Sequence, residues 1–147
     1  MKKTAILITA ETVLLIALDQ GTKWLADLYL RDPYAITSWF QLKYGQNTGI
    51  AWSIQMPFPL LIILNVVIIA FFFYFAVRRL NLEKTGTQAV VALITAGAFS
   101  NIIDRLKSGF VIDFISVGFW PVFNLADAFL SIGIFLILLF YAKIKRT

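Results

Sequence analysis

Four long apolar runs constrain this chain more than any other feature. They cover about residues 6–22, 58–77, 88–104 and 125–142 of 147, each near the roughly 17–25 residues a helix needs to cross a bilayer. In hydrocarbon every backbone polar group needs an internal partner, so such runs predict helices rather than open strands. Mean hydropathy is +0.82 and 60% of residues are hydrophobic. A soluble domain of this length cannot hide that much apolar surface. The expected fold class is therefore an all-α membrane protein with four transmembrane helices, in one integral membrane domain over residues 1–147.

Lys2 and Lys3 before an apolar stretch are compatible with a cleavable leader. However, Glu11 interrupts the run and no small-residue cleavage pattern stands before Asp19, so the expectation is a retained helix. Eight of the thirteen basic residues lie at the two termini or in the short second loop, and five are spread over the longer first and third connections. The bias predicts a multi-pass protein with both termini cytoplasmic. The first outer loop, about 23–57, contains "GIAWSIQ", whose large residues at Ile50, Trp52 and Ile54 alternate with a period of two. A small extracytoplasmic β-sheet and loop subdomain is expected there, between helices 1 and 2, resting on the outer leaflet with Trp39, Phe40 and Tyr44 at the interface.

Absences narrow the chemistry. The chain has no Cys and no His, which removes thiol nucleophiles, His-based triads and the usual zinc sites. Its basic residues form no aromatic-interleaved patch, so nucleic acid is not expected as a partner. What remains is carboxylates, and all six Asp fall at one face of the predicted bundle. Asn101, Asp104 and Arg105 share a helical face, where Asp104 and Arg105 either satisfy each other at a helix end or Arg105 fixes a neighbouring carboxylate. Asp113 stands alone among large apolar residues in "FVIDFI", where burial raises a carboxyl pKa. Asn124-x-x-Asp127 has the spacing of a helix capping box, compatible with both a structural and a chemical role.

Asp113 and Asp127 are fourteen positions apart, across a short connection containing Pro121. A re-entering loop of that length can bring the two carboxyls face to face. Adjacent carboxylates share a proton near neutral pH, which is the aspartic-protease arrangement. A proton- or ion-conducting four-helix protein with an Asp relay is the alternative, and it predicts ionisable residues near the bilayer midplane.

Five blocks in order, "DQGTK" (19–23), "NTGIAWS" (47–53), "SNIIDR" (100–105), "VIDFI" (111–115) and "FNLAD" (123–127), resemble signal peptidase II, the bacterial lipoprotein signal peptidase family of membrane aspartyl proteases. The resemblance implies a catalytic dyad of Asp113 and Asp127. Asn47, Gly49, Asn101, Arg105, Asn124 and Ala126 would position substrate, with Asp19, Lys23 and Asp104 in support. It also implies a prolipoprotein substrate already carrying diacylglycerol, cut just before the lipidated cysteine, and inhibition by cyclic peptide antibiotics of the globomycin type. No metal or other cofactor is expected, and the location implied is the bacterial cytoplasmic (inner) membrane, with the active site at the extracytoplasmic face. A monomer is expected. Ser100, Ile50 and Trp52 depart from the family's usual Gly, small residue and Phe.

Overall fold

A computed structural model describes residues 2–49, 54 and 56–146. Its order is α1 (Lys2–Tyr29), β1 (Tyr34–Ala35), β2 (Phe40–Asn47), α2 (Phe58–Arg79), α3 (Thr85–Ser108), β3 (Val111–Val117) and α4 (Leu125–Ile144). All four helices are long and apolar enough to cross a membrane. At ~1.5 Å per residue the shortest, α4, spans about 30 Å, the thickness of a hydrocarbon core.

The first helix runs seven residues beyond its expected end. "KWLADLY" keeps a helical course, Asp27 and Arg31 pair across one turn, and Pro33 stops continuation because the residue before proline disfavours the α region. Lys23, expected at the start of the outer loop, therefore sits on a rigid helix.

Helix α3 is the hub. It packs against α1, α2 and α4, whereas α1 and α2 share few contacts. Small residues let it approach its neighbours closely. A Cβ at Gly97 would collide with the carbonyl oxygen of Ala126 and approach Leu130 Cγ at 2.7 Å, and one at Gly133 would meet Ile94 Cγ1 at 2.5 Å. Backbone proximity of α3 and α4 at Gly97 lies one turn below Asn101, which is what lets Asn101 reach α4.

The sheet has three antiparallel strands in the order β1-β2-β3. Two lie between helices 1 and 2 as expected, but the third follows α3 and carries Asp113. The strand before helix 2 is Phe40–Asn47; of the stretch expected to alternate, Ile50 and Trp52 lie outside the described residues. Gly109, at φ 81°, ends α3 and turns the chain into β3. After β3 the chain reverses at Gly118 (φ 53°), and Phe123 exchanges backbone hydrogen bonds with Ile115 at 2.8 and 3.0 Å. That return lays Asn124 beside Asp113.

Candidate active site

Asp113 lies on β3 opposite Gly45 of β2 and is 4% exposed. Asn47 Nδ2 donates to its Oδ2 at 2.9 Å, and Asn124 Nδ2 donates to its Oδ1 at 2.6 Å. Asp127 stands in the first turn of α4. Its Oδ1 accepts from Asn101 Nδ2 at 2.8 Å, and its Oδ2 faces the backbone N–H of Asn124 at 3.4 Å. The backbone N–H of Asp127 donates in turn to Asn124 Oδ1 at 2.9 Å. This is the capping box expected from the spacing, and the helix N-terminus favours the acid there.

Three asparagines thus present N–H groups to the two carboxyls, and in each the amide orientation is dictated by an unambiguous donor. The Asn47 oxygen accepts the backbone N–H of Gly49 at 3.0 Å. That of Asn124 accepts the backbone N–H of Asp127. That of Asn101 accepts from Lys23 Nζ at 2.9 Å. With each oxygen so engaged, each amide nitrogen points at Asp113 or Asp127.

Lys23, 2% exposed, uses all three of its ammonium protons. Besides Asn101 it pairs with Asp19 at 2.7 Å and with Asp104 at 2.9 Å. Asp19, fully buried, also accepts the backbone N–H of Ala126 at 2.8 Å and the Ser100 hydroxyl at 2.7 Å. One carboxylate on α1 thereby ties down the start of α4. Burying ions is unfavourable unless each is paired and hydrogen-bonded, and here each is.

Asp104 and Arg105 do not satisfy each other. Asp104 turns to Lys23, while Arg105 donates from Nη2 to the carbonyl of Gly49 at 3.0 Å. Adjacent residues on a helix diverge by about 100°, so each finds a different neighbour. Arg105 Nε is buried without a hydrogen-bond partner among the described residues.

Gln20 is a member of the network that sequence reasoning missed. Its amide reaches Asp104 Oδ1 at 2.7 Å and Ser100 Oγ at 2.9 Å. Its place one residue after Asp19 in "DQGTK" was the available signal. Ser100, where the family's usual residue is Gly, contributes a hydroxyl to the same network. Trp52 and Ile50 lie outside the described residues.

The pKa of Asp113 is pushed up to about 6. Burial is the largest cause, the neighbouring Asp127 carboxylate adds to it, and Asn47, Asn124 and Lys23 oppose it. A buried carboxyl of raised pKa next to a second carboxyl has the components of a shared-proton pair.

Comparison with known proteins places the chain in a family. The family described as Signal peptidase (SPase) II matches residues 11–143. The lipoprotein signal peptidase of Chlorobium phaeobacteroides (strain BS1) is 35% identical over 147 residues, covering 88% of this chain and 92% of its own. That of Thermodesulfovibrio yellowstonii is 37% identical over 142 residues, covering 90% and 91%. Two solved bacterial membrane enzyme structures, each 28% identical, superpose with TM-scores of 0.81 and 0.76 and cover 92% of this chain and 87% and 92% of their own. With the match extending through all four helices and the sheet, the chain belongs to the signal peptidase II family.

Proposed function

We propose that Asp113 and Asp127 are the catalytic dyad of this peptidase, which cleaves lipoprotein signal peptides. The carrying observation is that a single residue, Asn124, holds both: its amide nitrogen binds Asp113 and its oxygen and backbone cap Asp127. Asn124 thereby joins the two residues at the end of the bundle where α3, β3 and α4 meet, and in this reading their carboxyls face each other. Asp19 and Asp104 lie at the same end, which favours hydrolysis at an interface over an ion relay at mid-membrane.

In this reading the dyad carries one proton. The ionised carboxylate takes a proton from water as the water oxygen attacks the scissile carbonyl. The protonated carboxyl donates to the developing gem-diolate, and the proton gained from water later passes to the leaving amine. Asn47, Asn101 and Asn124 hold the carboxyls in place, and Arg105, bonded to the Gly49 carbonyl, orients the substrate backbone. Among the described residues, the side chains bonded to the two carboxyls are amides that present N–H to them. Lys23, Asp19, Gln20, Ser100 and Asp104 maintain the arrangement from behind.

The substrate is a prolipoprotein bearing diacylglycerol on the cysteine after the scissile bond, entering from the bilayer. The protein works as a monomer in the bacterial cytoplasmic membrane, with both termini cytoplasmic and the dyad at the outer face, and binds globomycin-type cyclic peptides there. The test is cleavage of a diacylglyceryl-modified lipobox peptide by purified protein. Asp113→Asn and Asp127→Asn are each expected to abolish it, and a chelator to leave it unchanged. Full activity in either variant overturns the assignment.

A further inference from the structure

The end of the bundle opposite the carboxylates carries a feature the peptidase reaction does not use. The chain after α4 runs back antiparallel to the end of α2. Leu80 bridges Lys145, Asn81 N donates to the Ile144 carbonyl, and Arg146 N donates to the Arg79 carbonyl, both at 2.8 Å. Lys84 Nζ reaches the carbonyl of Lys143. This clasp draws Arg78, Arg79, Lys84, Lys143, Lys145 and Arg146 from two distant segments onto one rim. Among the described residues none of the six has a carboxylate within ion-pair distance, and Glu83 is the single acid beside them.

Directly under that rim, α1 and α2 stand apart. The groove between them, of about 670 Å³, is walled by Thr4 and Ile8 of α1 and Phe73 and Val77 of α2, floored by Val91 of α3, with Arg146 and the lone acid Glu83 in its lining. Its lining is mostly apolar and it lies where α2 leans on α3 rather than on α1. We propose that this groove is a binding site for an anionic phospholipid, one acyl chain lying between α1 and α2 and the phosphate against Arg146, within the positive field of the basic rim. Like charges gathered by backbone pairing repel one another unless an anion joins them, and basic pockets between transmembrane helices favour anionic headgroups. The same charge disfavours the other membrane-embedded occupant, a signal-peptide helix, whose leading segment is itself basic.

The lipid would complete the missing α1–α2 contact, so its binding is read as stabilisation. The full chain in detergent is titrated with dioleoyl phosphatidylglycerol or dioleoyl phosphatidylcholine, and followed by native mass spectrometry and thermal unfolding. A saturable adduct and a raised unfolding midpoint are expected with phosphatidylglycerol only. Arg146→Gln is expected to weaken binding about fivefold. Ala5→Trp and Val77→Trp fill the groove from its two exposed walls, and are expected to remove the stabilisation while leaving peptide cleavage in detergent unchanged. Equal binding of the two lipids overturns the proposal, as does undiminished phosphatidylglycerol binding in both tryptophan variants. A raised KM for the lipopeptide in those variants, with lipid binding intact, would assign the groove to the signal peptide instead.

Discussion

Asn124 donates its amide nitrogen to Asp113 at 2.6 Å, and its orientation is locked because its oxygen holds the backbone N–H at the start of α4. A helix cap and a carboxylate ligand are therefore one residue. Asn124→Ala removes both, and is expected to lower stability by about 1 kcal/mol from the lost cap. The larger effect is on turnover, with kcat down about 10²-fold as the carboxyl drifts from its productive position. Asn124→Asp keeps the cap but sets a third carboxylate against Asp113, so near-wild-type unfolding with abolished cleavage is the expected signature.

The pH dependence follows from Asp113. Its folded value of about 6 lies above the ordinary 3.8 because burial and Asp127 disfavour the anion. The proton of the pair is lost as pH rises through about 6, so kcat/KM is expected to decline on that alkaline side. Bound substrate adds burial, which displaces the limb in kcat further up. Asn47 stabilises the anion, hence Asn47→Ala is expected to move the limb to higher pH. The same sign governs folding: protonation of Asp113 favours the folded state, and this contribution fades as pH rises from about 4 to 6. Rate profiles of both proteins check the direction.

Lys23 pairs with Asp19 and Asp104 simultaneously. Lys23→Met leaves two buried carboxylates without their cation, and a loss of about 3–5 kcal/mol is expected, measured by unfolding in detergent. Lys23→Arg is not expected to restore the protein, because a planar fork cannot reproduce three tetrahedral donors to Asp19, Asp104 and Asn101.

Two glycines at the α3–α4 contact should differ when changed to alanine. At Gly97 the obstruction is the Ala126 carbonyl, which is backbone and cannot yield without shifting α4 away from Asn101. Gly97→Ala is expected to cost about 1–3 kcal/mol and most of the activity. At Gly133 the first obstruction is the Ile94 side chain. Gly133→Ala should be partly relieved by Ile94→Ala, whereas Gly97→Ala should not be relieved by Leu130→Ala. Unfolding midpoints and cleavage rates of the four proteins decide this.

Much of this protein is local and therefore legible in one dimension. Apolar runs specify helices because the bilayer leaves their backbones no other partner. Asn124-x-x-Asp127 specifies a cap because donor and acceptor are three residues apart. Asp113 stood out because an acid among Phe, Val and Ile needs a reason to be there, and five blocks in order pointed to the family. The end of α1 at Tyr29 is blurred in the sequence because charged and polar residues beyond Leu18 resemble a loop when only hydropathy is followed.

Only the tertiary structure decided the pairings. Asp104 and Arg105 are adjacent in the chain, yet they part to Lys23 and to the Gly49 carbonyl, since helix geometry aims neighbouring side chains in different directions. β3 joins β2 across more than sixty residues, a register that loop-spanning backbone bonds set and no local pattern announces. Lys23, 78 positions from Asn101, selects which end of that amide faces Asp127. The sequence by itself determined which carboxylates were available and that Asp127 sits in the first turn of the fourth helix. Their shared asparagine, their buried counter-ion and the raised pKa of Asp113 came from folding, because each depends on distances between segments that are far apart along the chain.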